Sequence, residues 1–155
     1  MKARKGDLIN LALSDEFDII IHGCNCFNTM GAGIAKSIRH VFPHAYKADC
    51  KTESGSSDKL GTYTYSLERT ATGKKLYVIN AYTQFEYGGY KDLVEYESLR
   101  EVFAKIRTDF LVMNPDLRVG YPKIGAGKAN GNWEVISLII DNELEGYDHT
   151  LVELA

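Results

Sequence analysis

No stretch of this 155-residue chain approaches the ~20 consecutive apolar residues of a membrane-spanning helix. The basic opening MKARK is followed at once by Gly6 and Asp7, where a secretory leader would continue into an apolar core. A cytoplasmic protein with no membrane partner is therefore expected. Excess positive charge is also missing. A formal net charge of −3 gives no bulk attraction for a nucleic-acid backbone, and no basic block is long enough to track one. Cysteine is scarce and odd in number. Cys24, Cys26 and Cys50 cannot all pair within the chain, so free thiols in a reducing compartment are expected. Internal repeats and low-complexity tracts are absent as well.

What remains has the make-up of an ordinary globular protein, 45% hydrophobic and 25% charged, long enough for one domain over residues 1–155 with a real core. Asp18 to Cys24 (DIIIHGC) is apolar on both faces, as a central strand covered by helices would be. Met1 to Lys5 reads as a short edge strand, and Leu8, Leu11 and Ala12 stand at helical spacing for a turn or two. Ile34 to His40 predicts a helix, Pro43 breaks it, and a second short helix runs from His44 to Lys51. Thr52 to Lys59 is rich in Ser and reads as a surface loop. Two strands, Gly61 to Leu67 and Lys75 to Ala81, bracket a polar turn and predict an antiparallel pair. The longest helix is expected over Asp92 to Asn114, where apolar residues recur at three- and four-residue steps before Pro115. A strand over Leu117 to Ile124, a helix from Trp133 to Leu144 capped by Asn132, and a last strand from Thr150 to Leu154 complete the series. This order calls for an α/β fold, a three-layer α/β/α sandwich around a mixed central sheet.

Two glycine-rich loops stand out, each leaving a strand and entering a helix. The first, Asn25 to Ala35, reads NCFNTMGAGIA, and the second runs from Gly125 to Asn132. Such crossings can aim backbone N–H groups at an anion, and in open α/β sheets ligands lie beyond the carboxyl ends of the strands. The same glycines, Gly31, Gly33, Gly125 and Gly127, could instead serve only tight turns and close packing.

Neither loop is a standard nucleotide fingerprint. Lys36 stands where G-x-G-x-x-G requires its third glycine, and Gly127-Lys128 is followed by Ala129 rather than Ser or Thr. His22, Cys24 and Cys26 alternate at a spacing that could meet a metal, but no fourth ligand is evident and no metal or cofactor is expected. Tyr63, Tyr65, Tyr77, Tyr82, Tyr87, Tyr90 and Tyr96 concentrate in the middle third; a few could stack on a base or ribose, but they read mainly as half-buried sheet residues. Lys91 and Asp92, after Gly88-Gly89, read either as a cation and carboxylate pair or as a solvated lysine beside a helix-start charge.

Taken together, the motifs resemble the macrodomain family of ADP-ribose-binding α/β/α modules. Gly6-Asp7-Leu8 is similar to that family's opening, whose aspartate meets the adenine amino group. His22-Gly-Cys-Asn25-Cys with Met30-Gly31-Ala32-Gly33-Ile34-Ala35 is similar to the first ligand loop, and Pro122-Lys-Ile124-Gly125-Ala126-Gly127 to the second. Order and spacing agree across nearly the whole chain. The resemblance implies that ADP-ribose is held by Asp7 and Leu8, by Asn25 and Met30 to Ile34, and by Ile124 to Asn130, including Lys128, Ala129 and Asn130.

Within the family the wording is nearest to the branch of ADP-ribose-1″-phosphate phosphatases and terminal glutamate-ADP-ribose hydrolases. Those hydrolases use a lysine before the long helix and an aspartate in the second loop. Here Ala129 stands in the aspartate's place, and Lys91 lies two residues further from Tyr96 than their pattern has it. His22 matches the histidine of the phosphatase-like members. The resemblance therefore implies hydrolysis of ADP-ribose-1″-phosphate, with His22 or Asp92 orienting a water and Lys91 neutralising charge. The alternatives are a non-catalytic ADP-ribose reader and a hydrolase acting on ADP-ribosylated macromolecules.

Overall fold

The computed structural model describes residues 1–87, 93–127 and 129–155. Six strands, β1 (Lys2–Lys5), β2 (Ile19–Cys24), β3 (Tyr63–Arg69), β4 (Lys75–Tyr82), β5 (Val119–Tyr121) and β6 (His149–Glu153), form one sheet. Their spatial order is β1-β6-β5-β2-β4-β3. Every pairing is parallel except β3 with β4. Five α-helices among the described residues cover the faces: α1 (Leu8–Leu13), α2 (Gly33–Val41), α3 (Pro43–Cys50), α4 (Tyr96–Ile106) and α5 (Trp133–Glu143).

Strand β2 explains the layering. Its residues alternate, so Ile19 and Ile21 pack with Leu99, Phe103, Ile136 and Ile140 of α4 and α5. Ile20 and Cys24 face the other way, against Ile9, Ala12, Ile38 and Ala45 of α1, α2 and α3. Each of the three isoleucines is at most 1% exposed, and burying one is worth about 1.5–3 kcal/mol. A strand apolar on both faces has thus become the middle of an α/β/α sandwich, as the sequence implied. The two sheet edges differ. Strand β1 is exposed throughout, whereas β3 leaves Tyr65 and Leu67 nearly half exposed on the opposite edge.

Four local expectations change. The long helix begins at Tyr96 rather than Asp92. Val94 pairs with Gln84 in an isolated bridge, and the N–H groups of Leu93 and Glu95 donate to the carbonyls of Ala129 and Thr83. Helix α4 then passes into a wider π-helical turn at Arg107–Leu111 before Pro115. The strand expected over Leu117 to Ile124 is only Val119–Tyr121, because Pro122 has no N–H to pair and Ile124 N–H turns back to the Pro122 carbonyl. The segment from Thr52 to Lys59 is no free surface loop: it contains a short 3-10 turn, Ser57–Lys59, and clasps the first glycine loop through bonds described below.

Candidate functional site

The strand ends β2 and β5 and the chain leaving β4 open into a cavity of about 630 Å³. Its walls are the first loop from Cys24 to Ala35, the second from Pro122 to Ala129, and Gln84, Tyr87 and Leu93 on a third side. A second cavity of about 490 Å³ adjoins it, lined by Asp7, Leu8, Ile9, Ser37 and the end of β6. Gly33, Ile34, Pro122, Lys123 and Gly127 line both. The two spaces are therefore one cleft with a glycine-bearing waist.

The first loop is fixed from within and from behind. Asn25 accepts the Phe27 N–H through Oδ1 (2.8 Å) and donates to Thr29 Oγ1 (2.7 Å), an Asx turn. The buried Lys59 ammonium donates to the Cys26 carbonyl (2.9 Å) and to Asn28 Oδ1 (2.5 Å). Gly55 N–H and the Ser54 hydroxyl donate to the carbonyls of Cys26 and Phe27. The loop then delivers Gly33, at φ +57°, into the first turn of α2. The helix cap there is Ala32, and no side chain caps the first-turn N–H groups. Exposed, uncapped amides at the start of a nine-residue helix are suited to an anion.

The second loop is built differently. Gly125 sits at φ +75°, and a Cβ on it would lie 2.7 Å from Val94 Cγ2, so a side chain is excluded on two counts. Ala126 and Asn130 donate their N–H groups to Lys123 and Gly127 carbonyls, and Gly131 donates to Gly125. Helix α5 is closed by its own cap, with Asn132 Oδ1 accepting from Glu134 N–H and Tyr96 Oη accepting from Asn132 N–H. The two helix starts therefore differ: no side chain caps α2, whereas Asn132 caps the Glu134 N–H of α5, as the sequence implied.

Among the described residues, charge at the cleft is sparse. Lys123 stands at the waist and pairs with Glu153 at 3.2 Å. Asp49, from α3, lines the larger cavity although it is only 1% exposed. Burial pushes its carboxyl above the ordinary carboxylate range, while the Tyr82 hydroxyl, donating to it at 2.6 Å, and the Lys59 ammonium pull it back. Cys24, also on the wall, is a thiol pushed well up by burial. Among the described residues no group of three or more His, Cys, Asp or Glu side chains is arranged to hold a metal ion.

The residues singled out in the sequence fall as follows. Asp7, Leu8, Ala126 and Gly127 line the smaller cavity. Asn25, Met30, Gly31, Ala32, Gly33, Ile34, Ile124, Gly125, Gly127 and Ala129 line the larger. Asn130 lines neither and spends its N–H inside its own turn. Lys91, Asp92 and Lys128 lie outside the described residues. His22 needs a correction. It is 0% exposed and does not line the cleft; its Nε2 lies 2.7 Å from Asn80 Oδ1, behind Cys24. Burial drives its pKa down to about 4, against the weaker upward pull of Asn80, which favours the neutral ring. Asp49 and Lys59 were missed in the sequence, whereas Tyr82 and Tyr87 stood among the tyrosines noted there; Tyr87 lines the larger cavity and Tyr82 lies behind its wall, bonded to Asp49. Asp49 and Lys59 offered no signal, because a charged residue in a short helix or a polar loop is normally solvated.

No family model matches the chain. A 17.5 kDa uncharacterized protein from the tk-vs intergenic region of Enterobacteria phage T4 is 38% identical over 144 residues, covering 91% of this chain and 88% of the relative. An ADP-ribose 1″-phosphate phosphatase of Debaryomyces hansenii is 30% identical, covering 91% of this chain and 92% of that enzyme. Among solved structures, the macrodomain of Thermus aquaticus DarG superposes with a TM-score of 0.72 at 18% identity, covering 98% of this chain and 97% of that one. Sheet order, helix layers, a glycine-waisted cleft at the strand ends and these relatives agree: the chain belongs to the macrodomain family.

Proposed function

We propose that the protein binds ADP-ribose along the cleft and hydrolyses ADP-ribose 1″-phosphate to ADP-ribose and phosphate. The observation that carries this reading is the waist shared by the two cavities, where the uncapped start of α2 meets Gly127. A nucleoside diphosphate sugar has the same order of parts. Its flat base with an amino donor suits the smaller cavity, where Leu8, Ile9 and Val152 are apolar. Asp7 gives one oxygen to the Asn10 N–H there (2.9 Å) and keeps the other for a ligand donor. Two phosphates suit the amides of the waist, which explains how a net-acidic protein could hold a polyanion without a basic patch. The terminal ribose suits the larger cavity.

The 1″-phosphate is suggested by what the Debaryomyces relative is named for. In that reaction a water oxygen bonds to the terminal phosphorus, the bond from phosphorus to the C1″ oxygen breaks, and that oxygen is protonated. Backbone amides would hold the equatorial oxygens, so positioning would supply most of the catalysis. Asp92 would orient the water and Lys91 neutralise charge. A second reading, binding without cleavage, is favoured by the withdrawal of His22 from the cleft. Phosphate release by purified protein tests the first. Release that scales with enzyme and falls in Lys91→Ala supports it, whereas tight ADP-ribose binding with no release leaves the reader. Binding of neither ligand by calorimetry would refute both.

A further inference from the structure

Asp49 is the one carboxylate on the wall of the larger cavity among the described residues, and it comes from α3 rather than from either glycine loop. A chain of hydrogen bonds leads to it from inside the sheet. Asn80 uses both N–H bonds of its amide, toward the Ala45 carbonyl (2.9 Å) and Thr64 Oγ1 (3.0 Å), so its Oδ1 accepts from His22 Nε2–H. Thr64, already an acceptor, lies 2.9 Å from Tyr82 Oη and donates to it, and Tyr82 donates to Asp49 Oδ1 at 2.6 Å. Every donor in the series points toward the carboxylate. Such chains polarise one another and strengthen the last bond.

We infer that Asp49 is the acceptor for a hydroxyl of the ligand's terminal sugar, a specificity-determining contact held in place by Tyr82, Thr64, Asn80 and His22. The inference rests on the proposed ADP-ribose reading. One carboxylate oxygen is taken by Tyr82, and the other is left for a donor in the cavity. The Lys59 ammonium is engaged with the first loop, and the neighbouring Cys24 and Cys26 thiols are weak donors held neutral by burial. A carboxylate repels phosphate and attracts a donor, so with the diphosphate at the waist the matching group is a hydroxyl of the terminal sugar, on the side away from C1″. A ligand without that hydroxyl leaves the second carboxylate oxygen without a donor, and discrimination follows from that cost. His22 is on this account a positioning residue that acts through the chain.

The test is calorimetric binding of ADP-ribose and of ADP, which ends at the diphosphate, to wild type, Asp49→Asn and Tyr82→Phe. Wild type should prefer ADP-ribose. Asp49→Asn should lose about ten- to a hundred-fold in affinity for ADP-ribose and keep its affinity for ADP. Tyr82→Phe should show a smaller loss, about three- to ten-fold, again for ADP-ribose alone; it decides the matter if Asp49→Asn does not fold. An unchanged Asp49→Asn, or equal losses for both ligands, would overturn the inference while leaving the ADP-ribose reading intact. Wild type that binds neither ligand would remove the reading and the inference together.

Discussion

Replacing His22 with glutamine should remove most of an acid sensitivity that the wild-type protein carries in its core. In the unfolded chain this histidine takes up its proton near 6.5, whereas in the folded protein burial delays uptake to about 4. Above ~6.5 both states are neutral at this position and stability is whole. As pH falls, the unfolded state gains a proton that the native state refuses, so stability is lost progressively, and the loss is complete once pH drops below about 4. At about 1.4 kcal/mol per pH unit, the gap is worth about 3 kcal/mol, of which about 2 is already lost near pH 5. No solvent discount applies, because the side chain is 0% exposed. Glutamine can still donate to Asn80 Oδ1 but does not titrate. Urea unfolding of both proteins from about pH 7 to about pH 4 provides the measurement, since carboxylates and His149 titrate in both and cancel in the difference. The wild type should weaken relative to His22→Gln by about 3 kcal/mol over that range. A difference that stays flat with pH would mean that His22 is solvated or protonated in the native state, and the reasoning would fail.

Three further outcomes are expected. Gly125→Ala forces a side chain into a left-handed backbone and against Val94, so urea unfolding should show a loss of about 2–3 kcal/mol. Asp7→Ala removes the side-chain cap of α1, costing about 1 kcal/mol in the same assay, and on the proposed reading it also weakens ADP-ribose binding by calorimetry. Lys59→Met leaves the Cys26 carbonyl and Asn28 Oδ1 without their donor, at a cost of about 2 kcal/mol. Amide exchange over residues 25–31 should accelerate with it, and unchanged exchange would show that the clasp does not hold the loop.

Much of the fold could be read from periodicity. Ile19, Ile20 and Ile21 in succession announced a strand buried on both faces, and Pro43 marked the break between α2 and α3 to within a residue. Backbone pairings between distant segments were not legible. Nothing local says that Leu93 and Glu95 will bond to Ala129 and Thr83, and those bonds shorten the long helix. The glycine loops were legible because a strand, glycines and a helix stood in sequence. Asp49 was not, since its meaning depends on Tyr82, thirty-three positions away, and on the cavity whose wall Asp49 joins. His22 shows the converse: the right strand end was identified, but the ring lies one pleat deeper than Cys24 on the same face, and Cys24 rather than His22 meets the cavity.

The unequal edges of the sheet govern how this molecule meets other polypeptides. An approaching strand at β1 finds the charged side chains of Lys2, Arg4 and Lys5, the first two paired with Asp148 and Glu16, which offer it no apolar contact. At β3 the approaching strand finds the rings of Tyr63 and Tyr65 and the side chain of Leu67, which offer apolar contact to its own residues. Backbone-mediated self-association, when crowding or partial unfolding favours it, is therefore steered to the antiparallel side of the sheet, and a lysine at position 65 or 67 would be the change that raises solubility without touching the cleft.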